Sequence, residues 1–499
     1  MRKAIVSLIS GNLLSKALGL IREVIVAALF GTGYINGAYR VAQTGTLVPV
    51  NFLVSDSLTA FIPLYKKFHS ESENKGQLFF WSMQIIFLIF SVILTSSAIL
   101  FVDFWLNIIA PGLDERTRNL SRSMLIIMSL GITLYLSSAL INYVEMAHDD
   151  FLPMSMRPSI QNFGMLLGAL FAYVIGNPIY LAWGFTFSYL VFFIWVLIRG
   201  INKGILVFPS EIDNKILKNV IFVFWKTLKP LIFLPFLYQG NIAIERAVAT
   251  LISITAVSAL DYAKFITETL LLVVSTPVAL AGLASWGGLQ SEHIKSRLID
   301  TFSLLMIFAV PVSLFLGIHA NLVVTILFAR GKFDSTSIAV TTNILQGMSL
   351  GLWANVISYV LIKALNAQFK NKKVMIIMTL GLIVNALFNI IFYQFFKELT
   401  LGLGYSLYGI ITLIGCIYSL DIWREISKKF YIIIISSLMY MLISYYGIQI
   451  SNLYFNFLVN VVIFLVFWSA VMILIPSLRE GVSGMIRQKR GGVCSKKSG

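Results

Sequence analysis

Among the charged side chains inside the long apolar stretches of this chain, seven are candidates to line a polar cavity. They are Lys16, Arg22, Glu23, Arg40, Glu245, Arg246 and Lys264. An ionisable group at the centre of a bilayer costs roughly 2.5–3.5 kcal/mol on insertion scales, so such groups usually face a polar cavity. Five of the seven are bases, and guanidinium and ammonium groups donate charge-assisted hydrogen bonds to phosphate oxygens. We therefore predict that the seven bind an anionic substrate, and we predict no catalytic residue.

Each of these residues also has a purely structural interpretation. Arg22 and Glu23 could form a local ion pair, or Arg22 could extend its charge to the lipid headgroups. Adjacent helix residues do not face each other, so these two need a further partner to line one cavity. Lys264 has Asp261 three residues before it and Glu268 four residues after it. These spacings allow ion pairs along one helix face.

The apolar stretches predict an all-α polytopic membrane protein. Hydrophobic residues make up 58% of the 499 residues and charged residues 12%, whereas soluble domains carry about 25% charged residues. The runs are continuous rather than alternating, which favours helices over a β-barrel. We predict 14 spans, at residues 4–30, 36–64, 78–101, 123–146, 159–177, 179–199, 230–253, 257–285, 299–328, 338–365, 374–396, 401–422, 430–449 and 454–476.

A basic connection separates the first six spans from the last eight. Residues 200–229 carry lysines at helical spacing, which predicts an amphipathic linker helix on the cytoplasmic face. We predict an N-terminal lobe over 1–199, a C-terminal lobe over 230–422, two additional spans within 423–476, and a basic cytoplasmic tail over 477–499.

Both groups of spans contain an acid–base dipeptide followed by a base. Arg40 lies 17 residues after Glu23, and Lys264 lies 18 residues after Arg246. Transporters are commonly built from internal repeats, with the substrate site at the repeat interface. Two short matches also arise by chance, so the sequence leaves the repeat open.

The net charge is +16. The positions of the basic residues follow the predicted membrane topology and do not indicate a nucleic-acid-binding surface. With the N-terminus inside, 17 lysines and arginines fall in the cytoplasmic connections and 6 in the opposite ones. This asymmetry follows the positive-inside rule and predicts that both termini are cytoplasmic. The basic groups can also contact anionic membrane lipids. The two cysteines and four histidines form no spaced ligand set, so we expect no metal and no cofactor.

Several short segments, in order, resemble the MurJ/MviN lipid II flippase family of the multidrug/oligosaccharidyl-lipid/polysaccharide exporter superfamily. Residues 14–23 read LSKALGLIRE and residues 30–33 read FGTG. The likeness continues through APG at 110–112, IERA at 244–247, SALDYAK at 258–264 and GKFD at 331–334. No one motif is decisive, but the ordered series is fairly specific and covers most of the chain.

The resemblance implies two six-helix lobes around a central cavity, with two extra C-terminal spans. It implies alternating access that moves a polyprenyl-pyrophosphate-linked saccharide across the bacterial cytoplasmic membrane. Arg22 matches a family arginine, Lys16 stands at another, and Lys264 stands at a third or one residue before it. Glu23 stands where an aspartate is usual. The energy source, whether H⁺, Na⁺ or the membrane potential, stays open.

Three departures from the family pattern leave the saccharide open. Residues 48–52 read VPVNF where the family is rich in arginine, residues 55–58 read SDSL in place of an acidic-glycine stretch, and Gly37 stands where an aspartate is common. The substrate could be lipid II or a repeat unit of an O-antigen, capsule or exopolysaccharide.

Two other functions compete with the flippase. A cation-coupled multidrug exporter of the same superfamily would be expected to have an acidic cavity, and the excess of bases disfavours it. A membrane polysaccharide polymerase or glycosyltransferase usually carries a large outer loop with catalytic groups. The longest predicted outer connection is residues 102–122, so we expect a transporter rather than an enzyme.

Overall fold

The computed structural model describes residues 2–286, 291–445 and 450–474. Every regular element in these ranges is a helix, which confirms the predicted all-α fold. Ten of the described helices are long and apolar enough to cross a membrane, and one bent pair brings the number to 11. The count of 14 spans stays a prediction.

The chain forms two compact units. Unit 1 comprises Met1–Ser258 and Arg330–Ser337, and unit 2 comprises Ala259–Ala329 and Ile338–Gly499. The predicted lobe boundaries and the repeat stay predictions, and the predicted tail at 477–499 lies outside the described residues.

Unit 1 contains nine complete helices within the described residues. They are α1 (Arg2–Phe30), α2 (Tyr34–Glu71), α3 (Glu73–Leu100), α4 (Val102–Ile109), α5 (Glu115–Ala147), α6 (Leu152–Ile175), α7 (Tyr180–Asn202), α8 (Asn214–Leu228) and α9 (Phe233–Ile252). Helix α2 packs on α3, α5 and α9, while α1 packs on α6. Helix α8 lies within the predicted linker 200–229 and meets α9 at a 60° bend. Pro230 lies at this bend, where the ring of a proline would interrupt a continuous helix.

Unit 2 is built from α10, which starts in unit 1, and the helices that follow it. They are α10 (Ile254–Trp286), α11 (Ser291–Ile318), α12 (Ala320–Phe328), α13 (Ser335–Ala367), α14 (Asn371–Phe396), α15 (Glu398–Leu420), α16 (Trp423–Tyr445) and α17 (Leu453–Leu474). The predicted span 299–328 is divided at His319 into α11 and α12. Only Trp468 is buried on α17, which fits a helix that faces lipid.

Glycines allow close helix contacts in both units. A Cβ placed on Gly184 of α7 would lie 2.5 Å from the Cα of Gly168 on α6. In unit 2, a Cβ on Gly347 of α13 would lie 2.9 Å from the Cα of Gly402 on α15. Membrane helices commonly associate through such small residues, because the hydrophobic effect gives no drive between helices in lipid.

Candidate functional site

Three of the predicted site residues form a buried charge cluster between α1 and α2, which we call the Glu23 cluster (Arg22, Glu23 and Arg40). The Glu23 carboxylate accepts hydrogen bonds from the guanidinium groups of both Arg22 and Arg40. The second Arg40 nitrogen, Nη1, lies 3.2 Å from Oε1 of Glu23. The exposed fractions of the side chains are 3% for Glu23, 4% for Arg40 and 15% for Arg22.

The turn between α1 and α2 explains why these residues meet. Helix α1 ends at Phe30 and α2 begins at Tyr34. Glu23 precedes the turn by about two helical turns and Arg40 follows it by a similar distance, since a helix rises about 1.5 Å per residue. Arg40 is thus the further partner that the adjacent pair Arg22–Glu23 requires. Two guanidinium groups and one carboxylate give the cluster an excess of positive charge.

Arg22 also contacts α6. Its Nη1 lies 3.3 Å from the sulfur of Met165, and the side-chain amide of Gln43 lies 3.8 Å from the same sulfur. A thioether is a weak acceptor, so Arg22 retains hydrogen-bonding capacity for a stronger anionic partner. Lys16, two helical turns before Arg22, is partly exposed.

Glu245 and Arg246 are buried on α9 and bind protein groups of unit 1. The Nε of Arg246 donates to the hydroxyl of Thr44 at 2.9 Å, and its Nη1 donates to the carbonyl of Val257 at 2.5 Å. The side-chain amide of Asn241 donates to Glu245 at 3.1 Å. These bonds tie α9 to α2 and to the start of α10. Lys264 belongs to unit 2, where its side chain is partly exposed.

Sequence reasoning missed a polar stripe on α2 that surrounds Arg40. Asn36, Gln43 and Thr44 lie four residues before, three after and four after Arg40. The Nε of Arg40 donates to Oδ1 of Asn36 at 3.3 Å, and the Thr44 hydroxyl donates to the Arg40 carbonyl at 2.9 Å. The spacing of these positions is that of one helix face, so the sequence did carry a signal for the stripe.

Unit 2 contains an apolar pocket of about 430 Å³. It is lined mainly by α11, α13 and α16, including Val310, Leu314, Leu350, Ile434 and Leu438. An apolar pocket of this size accepts a hydrocarbon segment rather than a charged group. Within the described residues, no group of three or more His, Cys, Asp or Glu side chains could hold a metal ion.

The sequence matches the family model described as lipid II flippase MurJ over residues 26–477. The chain belongs to this family. A relative named probable lipid II flippase MurJ, from Buchnera aphidicola subsp. Acyrthosiphon pisum (strain APS), is 26% identical over 380 residues, 74% of this chain and 72% of the relative. A relative of the same name from Thermotoga maritima is 26% identical over 348 residues, 68% of this chain and 69% of the relative.

Solved structures share the fold. Lipid II flippase MurJ in an inward closed conformation aligns with a TM-score of 0.80 and 22% identity, covering 94% of this chain and 98% of that chain. An inward-facing multidrug resistance MATE family transporter of the MOP superfamily aligns with a TM-score of 0.65 and 12% identity, covering 83% and 95%. At these identities the likeness shows the fold alone.

Membership of the MurJ family confirms the predicted family and the predicted superfamily. It also confirms the prediction of a multi-pass membrane transporter in the class of lipid-linked saccharide flippases. The roles of the individual site residues stay predictions.

Proposed function

We propose that the chain moves a polyprenyl-pyrophosphate-linked saccharide from the cytoplasmic to the outer leaflet of the bacterial cytoplasmic membrane by alternating access. The observation that carries this proposal is the Glu23 cluster, in which two arginines surround one carboxylate between apolar helices. A pyrophosphate is a multivalent anion that loses much hydration on leaving water. Charge-assisted hydrogen bonds from arginine offset that loss.

Arg22 is the proposed headgroup ligand of the cluster. It is the most exposed of the three side chains, at 15%, and its contact beyond Glu23 is to a weakly accepting sulfur. Lys16 and Lys264 are proposed as further cations on the substrate path. Arg40, Glu245 and Arg246 stay in the proposed substrate-binding set, where their burial favours a supporting role. The apolar pocket of unit 2 fits part of the polyprenyl tail.

The proposed topology places both termini in the cytoplasm, as the distribution of lysine and arginine predicts. The protein acts as a transporter without enzymatic turnover, and membrane lipids surround it. A coupling ion, H⁺ or Na⁺, or the membrane potential supplies the driving force.

The competing function is a cation-coupled multidrug exporter. The fold shared with MATE transporters is compatible with it. A cationic drug would have to bind beside two arginines and a single carboxylate, and like charges in a site of low dielectric constant repel. The charge of the Glu23 cluster therefore favours the anionic substrate.

Purified protein in proteoliposomes tests the proposal directly. We expect movement of a fluorescent polyprenyl-pyrophosphate disaccharide across the bilayer, and Arg22→Gln should reduce the rate about 10-fold or more, since a hydrogen bond to a charged group contributes about 1.5–3 kcal/mol. Arg118→Gln is the matched control, because Arg118 lies near Asp103 at the surface of unit 1 with 29% of its side chain exposed.

Wild-type transport by the Arg22→Gln variant at equal protein density would remove Arg22 from the site. Transport of a cationic dye but of no polyprenyl-pyrophosphate lipid would favour the exporter. Comparison of a pentapeptide-bearing disaccharide with a neutral trisaccharide on the same lipid decides between lipid II and a polysaccharide repeat unit.

A further inference from the structure

We propose that Asn36 and Arg40 form a relay that positions the Arg22–Glu23 pair and communicates its occupancy to the turn between α1 and α2. The inference rests on the proposed function, because the occupant is the anionic headgroup. It assigns to Arg40 a positioning role rather than direct contact with the substrate, and it gives Asn36 a role that the sequence did not indicate.

The first step of the relay is the asymmetric sharing of Glu23. Arg40 binds the carboxylate through two nitrogens, while Arg22 binds it through one. With 3% of its side chain exposed, Glu23 would become an uncompensated buried charge if it lost both partners. Arg22 can therefore turn to an incoming phosphate while Arg40 continues to neutralise Glu23. When a headgroup binds Arg22, Arg40 becomes the main partner of the Glu23 carboxylate, and the Arg40–Glu23 ion pair changes.

The second step connects Arg40 to the turn. Its Nε donates to Oδ1 of Asn36 at 3.3 Å, and Nδ2 of Asn36 donates to the carbonyl of Gly31 at 2.6 Å. Asn36 is fully buried, so water does not substitute for either bond. A shift of the Arg40 guanidinium is transmitted through one rigid amide to the backbone of the turn.

The third step is the fit between the turn and the segment Arg330–Ser337, which belongs to the same unit. The backbone N–H of Lys332 donates to the carbonyl of Ala28 at 2.8 Å. The hydroxyls of Thr32 and Ser337 lie 2.7 Å apart.

Two glycines make this fit close. Gly31 has φ +59° and Gly331 has φ +58°, a region that glycine adopts without steric cost. A Cβ on Gly31 would strike the carbonyl of Lys332, and a Cβ on Gly331 would strike the carbonyl of Ala28. The two backbones are in close contact, so a displacement of the Gly31 carbonyl alters the contact between the turn and the segment Arg330–Ser337.

A relay of this kind requires that the ligand bind two states of the turn with different affinities. Such coupling is reciprocal. A substitution that changes the conformational equilibrium of the turn must therefore also change the affinity for the headgroup, by the same coupling factor. Arg40 contacts Glu23 directly, whereas Asn36 bonds the Arg40 guanidinium and the carbonyl of Gly31. Substitutions at positions 36 and 40 should therefore differ in their effects on lipid binding and on the response of the turn. A merely structural role would give the same effects at both positions.

A disulfide between positions 32 and 337 reports the state of the turn. The double variant T32C/S337C, in a background with Cys416 and Cys494 replaced by serine, places two thiols where hydroxyls are now in contact, within reach of a disulfide. The rate of disulfide formation with iodine is measured in detergent with and without undecaprenyl pyrophosphate. Binding of the same lipid is measured separately by equilibrium fluorescence.

In the otherwise unchanged protein, undecaprenyl pyrophosphate should change the rate of disulfide formation by about fivefold or more, the usual lower range of allosteric coupling. Asn36→Ala should abolish this response and weaken lipid binding less than Arg22→Gln does. Arg40→Gln should lose both binding and response, and Arg40→Lys should regain binding without the response. Thr46→Val, which removes a buried α2 hydroxyl that donates to the carbonyl of Ala42 in the same helix, is the matched control and should respond normally.

A wild-type response in Asn36→Ala, or in Asn36→Thr if alanine reduces the yield of folded protein, would overturn the relay. Loss of binding in Asn36→Ala equal to that in Arg22→Gln would also overturn it, since Asn36 would then act on the headgroup site. If the unaltered protein binds no undecaprenyl pyrophosphate, the pyrophosphate-binding role proposed for Arg22 fails instead. The relay is then judged without lipid, where Asn36→Ala must change the basal disulfide rate and Thr46→Val must not.

Discussion

At the scale of single residues, the same charge type has different roles according to its neighbours. Arg246 is buried with its guanidinium bonded to Thr44 and Val257, so it joins helices. Arg22 is partly exposed beside a carboxylate that Arg40 already neutralises. Burying a charge is tolerated only when it is paired. The partners, rather than the arginines themselves, therefore decide which cation can serve a ligand.

Lys264 offers a test of the second cation on the proposed substrate path. Lys264→Arg should retain substantial transport because the charge is kept, whereas Lys264→Gln and then Lys264→Glu should reduce it progressively. Transport is normalised to the amount of protein in the membrane. If the triple variant with Asp261→Asn, Lys264→Gln and Glu268→Gln regains transport, Lys264 acts only as an ion-pair partner within α10.

Asp150 gives a pH-dependent prediction outside the spans. Burial raises the pKa of its carboxyl, but hydrogen bonds from Lys203 and Arg199 outweigh burial and lower this pKa from 3.8 to about 2. A lowered carboxyl pKa stabilises the fold above the unfolded value, and the stabilisation is lost as pH falls through the folded value. The affected window therefore lies between pH 3.8 and about 2.

Asp150→Asn should lower the free energy of unfolding by about 1 kcal/mol at neutral pH, because solvent screens these partly exposed ion pairs, and by much less near the folded pKa. Denaturation in detergent at several pH values measures this. Asp149→Asn is the matched control, because its carboxyl is 84% exposed and lies 3.7 Å from Lys66. An equal loss in both variants would assign the effect to the loop rather than to the ion pairs.

At the scale of helices, small residues set how closely neighbours approach. Gly164, Gly168 and Gly184 bring the backbones of α6 and α7 into direct contact. Gly240 lies inside α9 with nothing within 4 Å of its added Cβ. An added methyl group would therefore clash at Gly184 but would meet open space at Gly240.

Gly184→Ala should destabilise the protein by about 1–3 kcal/mol, because the added methyl group overpacks the contact with α6. Gly240→Ala should leave stability unchanged or raise it by about 0.5–1 kcal/mol, as expected for glycine in a helix interior. Thermal unfolding in detergent compares them. Equal effects of the two substitutions on thermal stability would show that α6 and α7 can move apart without destabilising the protein.

At the scale of the whole molecule, the chain belongs to a flippase family. The distribution of lysine and arginine predicts how it is oriented in the membrane. Single cysteines at the exposed positions Lys372 and Asn177, in a background without the native cysteines, test the topology. An impermeant maleimide added to intact cells should label position 177 and not position 372. Labelling of position 372 from outside would contradict cytoplasmic termini.

The sequence by itself determined the all-α membrane class and the family, and it marked seven charged positions inside apolar stretches as candidates, because hydropathy and charge are local properties of the chain. It did not determine which charges pair. That Glu23 takes Arg40 as its second partner depends on the turn at Gly31, which brings residues 17 positions apart face to face. The division of the predicted span 299–328 and the contact of Gly31 with Lys332 were likewise decided by tertiary packing. Such contacts depend on chain segments far apart in sequence, and no local pattern of residue types encodes their geometry.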